Sequence, residues 1–433
     1  GPISTGIPPD AITFVAETVS DEVFFSGEAA VLVTTDYSSS ASLASLDLST
    51  NVVSSDVLAT HTDAVVKSHG GKVYVIERLN GDNIIVLGED DLGRPVVQYS
   101  VGNGSNPQDI AFVSESKAYV SLYGRDYVLV VNPATGDSLG RVDISHVSDA
   151  DGKPEASQLA LYGGRLYVVC QRLDENSNFA PTDRSEVVVV DVSTDRVVDV
   201  DSGEAGVQGI VLSLKNPTGV EQRGDKLYFT CVGAWGVLTD GGIEVVDLSS
   251  NETEGALLTE TALGGDAAGL AMMTESEGYV VLSDASWNNS VVKVDLLTKR
   301  VTPVFAEAGG GSIPGMGYLK GRMYVLDRGG WDTPESNVYV YDTSDHSLLA
   351  GPISTGIPPD AITFVTRAQF STVLAGDFDG DDDVDFEDYV AFASAFGSTP
   401  GAANWDPKFD LDRDDRVDFD DFAAFARSFG QSK

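Results

Sequence analysis

Two acidic loops near the C-terminal end hold the residues best suited to chemistry. Residues 377–397 read DFDGDDDVDFEDYVAFASAFG and residues 410–430 read DLDRDDRVDFDDFAAFARSFG, a repeat of 33 residues. Asp377, Asp379, Asp381, Asp385 and Asp388 stand at loop positions 1, 3, 5, 9 and 12 of the first, and Asp410, Asp412, Asp414, Asp418 and Asp421 at the same positions of the second. Position 7, from which such loops offer a backbone carbonyl, is Asp383 or Arg416, and position 8 is Val384 or Val417. Carboxylates at this spacing wrap a hard cation in oxygen ligands, and calcium suits a flexible site of this size. Two calcium ions are therefore expected. Sixteen acids lie between 377 and 421 and repel one another without a cation, so folding here is expected to depend on calcium. A merely solvated acidic run has no reason to carry the phased Val, Phe and Gly.

The second set is aromatic. Tyr37, Tyr123, Phe179, Trp235, Trp287 and Trp331 fall one each after most of the recurring strand-like runs. Aromatics at one recurring structural place suit a stacking platform for glycan rings or for a partner protein; packing between neighbouring structural units explains the same pattern. Asp10, Asp109 and Asp266 recur at strand entrances, where they suit either a channel cation or water, or hydrogen bonds to backbone amides. The four histidines, His61, His69, His146 and His346, show no metal-ligand spacing, and no Ser/His/Asp set can be assembled.

The elements around the acidic loops are two helices, expected over Phe386 to Phe396 and Phe419 to Phe429. Each is apolar on one side, Tyr389, Phe392 and Phe396 matching Phe422, Phe425 and Phe429. The sharp-turn glycine expected at loop position 6 is replaced by Asp382 and Asp415, position 12 is Asp rather than Glu, and no helix precedes either loop. That combination departs from the ordinary EF-hand and resembles a dockerin module, a tandem pair of calcium loops each followed by one helix, over about residues 374 to 431. The resemblance implies a cohesin-like binding partner, and near-symmetry of the two halves would permit two binding orientations.

The elements that position the aromatics come from a longer repeat. A basic residue, one spacer, Tyr and an apolar residue recur at Lys72–Tyr74, Lys117–Tyr119, Arg165–Tyr167, Lys226–Tyr228 and Arg322–Tyr324, with a weaker copy at Glu277–Tyr279 and a seventh unit at Ala30–Val33. Successive tyrosines are 45, 48, 61, 51 and 45 residues apart. Each Tyr run is followed by a loop and then a β-branched run ending in Asp or Asn at a turn, as at Asp47, Asn132, Asp191, Asp247, Asp295 and Asp342. Short alternating strands punctuated by Gly, Asn and Asp have no helical reading. Four strands per unit, seven units and roughly 45 residues per unit describe an all-β seven-bladed propeller. The Tyr-Val strand, the Val-Asp-x-x-Thr turn and Asn-Pro links such as Asn106-Pro107 resemble the YVTN-type propeller repeat over about residues 7 to 365, a family of many secreted and cell-surface proteins. The expected organisation is a propeller over 1–365, a linker over 366–376 and a small α-helical, calcium-binding, dockerin-like domain with EF-hand-type loops over 377–431.

Composition narrows the partners. Lys and Arg number 27 against 67 Asp and Glu, a formal net charge of -40. This argues against nucleic acid and anionic membrane surfaces, which need a positive face. No run reaches the ~18 apolar residues of a membrane helix. Cys170 and Cys231 occupy matching places in neighbouring repeats and are expected as buried free thiols. These features favour a secreted or cell-surface binding or scaffold protein without catalysis, attached to an extracellular assembly by the calcium module. A polymer-acting hydrolase or lyase and a subunit of a filament or surface layer are the alternatives.

One segment remains. GPISTGIPPDAITFV fills residues 1–15 and again 351–365. In the later copy it covers the expected end of the outermost strand of blade seven, a link, and an innermost strand for blade one. Asp10 to Val15 is the covalently continuous candidate for that same innermost strand. One ring thus has one closing slot and two sequences able to fill it, which invites strand exchange or self-association; a copying error in the sequence gives the same repeat.

Overall fold

The computed structural model describes residues 28–201, 203, 208–306, 311–330, 334–365, 378, 384–402, 404–409, 411 and 416–430. The chain divides into two compact units at 366/367.

The first unit is an all-β propeller of seven antiparallel sheets. Blade two is representative: Ala64–His69 innermost, then Lys72–Glu77, Asn83–Gly88 and Asp91–Ser100 outward. The two middle strands of a blade are sandwiched between neighbouring blades, so both faces are apolar and the strands read as unbroken runs. Val187 to Val190 and Val73 to Ile76 are at most 3% exposed along their whole length. Outermost strands meet water: Ser138–Asp143 is largely exposed. Blade four stretches the repeat, which accounts for its longer tyrosine spacing. Its second and third strands, Arg165–Cys170 and Glu186–Asp191, are separated by a loop that forms its own small pairing of Leu173–Asp174 with Ala180–Pro181.

The recurrent residues of the sequence repeat are structural ties. Asp47, Asp191, Asp247 and Asp295 each turn Oδ1 onto the amides two and three residues ahead, at 2.8–3.0 Å. This closes the turn out of the third strand. The tyrosines reach the next blade. Tyr167 Oη donates to Leu248 O at 2.8 Å, Tyr228 Oη to Glu275 O at 2.5 Å, Tyr279 Oη to Thr343 O at 3.3 Å, and Tyr119 Oη to Asp195. Cys170 and Cys231 are buried and free.

Ring closure uses the C-terminal copy of the duplicated segment. Pro359–Val365 is the innermost strand of blade one and pairs with Ala29–Thr35, Val365 opposite Ala29. Blade one therefore takes three strands from the start of the described residues and one from the end of the first unit. Asp10 to Val15, the competing candidate, lies outside the described residues, as do the rest of 1–15.

Among its described residues the second unit contains two α-helices, Phe386–Ala395 and Phe419–Ser428, related by a near-symmetric exchange. The carbonyl of Val384 accepts from Gly430 N–H, and the carbonyl of Val417 from Gly397 N–H, both at 2.7 Å. Each loop's position-8 valine, fully buried, thus caps the chain beyond the other loop's helix. Between the halves Phe378, Phe392 and Phe425 stack and Phe409 meets Phe378 and Phe392 edge-on, with ring centroids 4.7–6.5 Å apart. The helical stripe divides: Phe392 and Phe425 are buried, while Phe386, Tyr389, Phe396, Phe419 and Phe429 stay exposed.

Candidate binding face

The loops between second and third strands open on one end of the ring and carry the predicted aromatics. Tyr37, Phe179, Trp235 and Trp287 are 43–49% exposed and Tyr123 is half-buried; Trp331 lies outside the described residues. Trp235 and Trp287, from adjacent blades, come together with ring centroids 6.2 Å apart and planes inclined by 37°. The structure joins these two and leaves the others distributed around the ring. Three of the five sit in the left-handed region: Tyr37 at φ 57°, Phe179 at φ 56° and Trp287 at φ 66°. A side chain there costs roughly 1–2 kcal/mol that glycine avoids, and such strain concentrates at functional sites. Local aspartates hold these turns. Asp36 Oδ1 accepts the amides of Ser38, Ser39 and Ser40 at 2.8–3.0 Å, and Asp284 Oδ1 those of Ser286 and Asn288 at 2.7 and 2.9 Å.

Beneath Trp235 its loop is held by three acids. Asp240 accepts from Ala234 N at 3.1 Å, Asp266 from Gly236 N at 2.7 Å and Glu260 from Gly241 N at 2.9 Å. Glu260 is fully buried. Burial pushes its carboxyl up to about 7, against the Gly241 amide, with Asp266 and Asp240 adding repulsion. Asp266, raised by burial too, thus acts as a backbone tie. A parallel cluster lies by Tyr123: burial pushes Glu155 up to about 9, opposed by the Leu173 amide and reinforced by Asp151, Asp149 and Glu175.

A charged cluster at blades seven, one and two gives little signal in sequence. Asp360, in the innermost strand of blade one, accepts from the Tyr37 hydroxyl and pairs with Arg328 at 3.3 Å. The Arg328 guanidinium lies 4.2 Å from the Tyr37 ring centroid and donates to Thr35 O at 2.7 Å. Arg78 donates through Nε to Asp63 at 2.6 Å. Recurrence of Arg four residues after Tyr74 and Tyr324 was the available clue. Asp10, the N-terminal equivalent of Asp360, lies outside the described residues.

The innermost strands of blades two to five line a cavity of about 320 Å³ with Lys67, Asp109, Gln158, Glu221 and Arg223. Its polar groups bridge blades. Asp109 pairs with Lys67 at 2.7 Å and accepts from Leu159 N at 2.9 Å, while Glu221 accepts from Met272 N at 2.7 Å.

In the second unit Asp385, Asp388, Arg416, Asp418 and Asp421 are described; Asp377, Asp379, Asp381, Asp383, Asp410, Asp412 and Asp414 lie outside the described residues. Asp388 and Asp421 are fully buried and bonded alike. Asp388 accepts from Phe378 N at 2.5 Å and Asp385 N at 2.9 Å; Asp421 accepts from Leu411 N at 2.6 Å and Asp418 N at 2.8 Å. The loop-closing acids thus hold matching loop positions 2 and 9 together, a frame compatible with an oxygen-ligand cation site. Among the described residues no three His, Cys, Asp or Glu side chains converge as metal ligands. No described helix is long and apolar enough to cross a membrane.

No protein-family model matches the chain, and no curated protein matches it. Solved structures do. A putative 6-phosphogluconolactonase from Bacteroides uniformis shares 15% identity at TM-score 0.54, over 78% of this chain and 99% of that one. Another from Bacteroides fragilis shares 12% at TM-score 0.51, over 81% and 100%. Hydrazine synthase from Kuenenia stuttgartiensis shares 12% at TM-score 0.50, over 71% and 97%. At these identities the likeness is one of fold, and the chain is a seven-bladed β-propeller protein.

Proposed function

We propose that the chain is a secreted or cell-surface binding protein: the propeller presents its aromatic face to a ligand whose rings offer an apolar C–H face to stack on, of which glycans are the best chemical match, without turning it over. The observation that carries this reading is the exposure of Phe179 and Trp287 in left-handed backbone. Packing between blades gives no reason to keep such residues strained and half in water. The Trp235–Trp287 pair supplies two ring faces close enough to engage one oligosaccharide. The acids nearest these tryptophans are engaged with backbone amides, which favours binding over catalysis. The second unit, in this reading, folds on two calcium ions held by its acidic loops, and its exposed helical aromatics dock a cohesin-like protein of an extracellular assembly.

The test is an oligosaccharide array in calcium buffer with the full chain and with Trp287→Ala. Ring-dependent binding that Trp287→Ala weakens tenfold or more supports the reading, in line with ~2 kcal/mol for a central aromatic. Turnover of a bound glycan, or binding indifferent to Trp287→Ala, overturns it.

A further inference from the structure

The ring-closing slot of blade one is a binding site for one short strand sequence, and the chain carries that sequence twice. The occupant in the structure, Pro359–Val365, is fixed by more than the ladder to Ala29–Thr35. Asp360 is lodged between Tyr37 and Arg328. Ser68 donates to Phe364 O at 2.7 Å and meets Thr363 Oγ1 at 3.1 Å, joining the strand to blade two. The Phe364 ring packs on Tyr324 at 5.1 Å between centroids and fills space left by Gly317, where an added Cβ would stand 2.7 Å from the ring.

Every side chain in these contacts from the strand side recurs, in order, in residues 9–15. The slot cannot discriminate between the copies by chemistry. We infer that residues 9–15 of the same chain are a second ligand of this slot, in exchange with residues 359–365. The tethers alone set the preference. The resident strand follows the outer strand of blade seven after the four residues 355–358, and the second copy would precede Ala29 by way of residues 16–28. Loop closure favours the shorter tether by about fivefold, so the resident predominates while the other form stays measurably populated. Both are intramolecular and outcompete a strand from another molecule at micromolar protein. Exchange leaves the outer strand Leu348–Ser354 in place and releases 359–365, lengthening the connection to the second unit.

Paired cysteines read the occupant directly, because opposed residues of an antiparallel ladder lie within disulfide reach. Val33 faces Ala361, so Val33→Cys is combined with Ala361→Cys or with Ala11→Cys in the full chain, with calcium present; the two native thiols are fully buried. Both pairs are expected to close within the monomer, the Ala11 pair about fivefold less in short oxidation. Asp360→Ala, which removes the anchor of the resident strand alone, should raise Ala11 trapping above Ala361 trapping. It should also melt higher than the same variant lacking residues 1–15. Absence of an intramolecular Ala11 disulfide in both backgrounds, disulfides only between molecules, or equal melting of Asp360→Ala with and without residues 1–15 would each overturn the inference.

Discussion

Replacing Glu260 by Gln should remove a defined part of the pH dependence of stability. Glu260 is fully buried, and its carboxyl is pushed from 4.5 to about 7, chiefly by burial. Between those values the folded protein keeps a proton that the unfolded chain has released, so stability falls as pH rises through this window and levels off above it. At ~1.4 kcal/mol per pH unit the full effect is about 3 kcal/mol, and about 2 kcal/mol after allowance for solvent screening near the surface loop it holds. Gln keeps an oxygen for Gly241 N–H and cannot ionise. The assay is thermal or denaturant unfolding of both proteins at pH 5 and pH 8. The parent should lose about 2 kcal/mol more than Glu260→Gln over that interval, close to 3 °C of midpoint for a domain of this size. Glu155, pushed up to about 9, contributes to both proteins and cancels in the comparison. Identical pH slopes in the two proteins would refute the assignment of a buried, proton-holding acid beneath the Trp235 loop.

Other expectations follow from the same contacts. The turn aspartates Asp47, Asp191, Asp295 and Asp342 are held below the usual carboxylate range by hydrogen bonds from the Ser and Thr residues that follow them. Their contribution is present above about pH 4 and lost as pH falls further, so Asp47→Ala should flatten the acid limb of the unfolding curve. Tyr167→Phe removes a buried inter-blade hydrogen bond and should cost ~1 kcal/mol in denaturant unfolding. Trp287→Gly should be about 1 kcal/mol more stable than Trp287→Ala, because only glycine occupies φ 66° without strain. Under the proposed calcium reading, Asp388→Ala or Asp421→Ala should weaken calcium binding to the second unit in calorimetry while leaving propeller melting unchanged.

Much of the fold was legible in sequence because the propeller repeats its local chemistry. The β-branched runs, the Asp-headed turns and the spaced tyrosines each encode a short-range geometry that recurs seven times or nearly so, and local pattern suffices to count blades. The same holds for the two C-terminal helices, whose Phe386 and Phe419 starts follow directly from the loop phase. What the recurrent tyrosines do was not legible: Tyr167 meets Leu248 across 81 positions of sequence, and no local pattern names a partner in the next blade. Nor was the Asp360–Tyr37–Arg328 cluster, whose members come from opposite ends of the chain and meet only because the ring closes. The aromatic positions could be read from sequence, whereas the pairing of Trp235 with Trp287 and the left-handed backbone beneath Trp287 required the tertiary structure. Sequence alone also established that one strand is written twice, at 1–15 and 351–365. Which copy occupies the slot was decided by the folded ring, where the short link from blade seven carries Pro359–Val365 to the open edge of Ala29–Thr35 at the smaller entropic cost of closure.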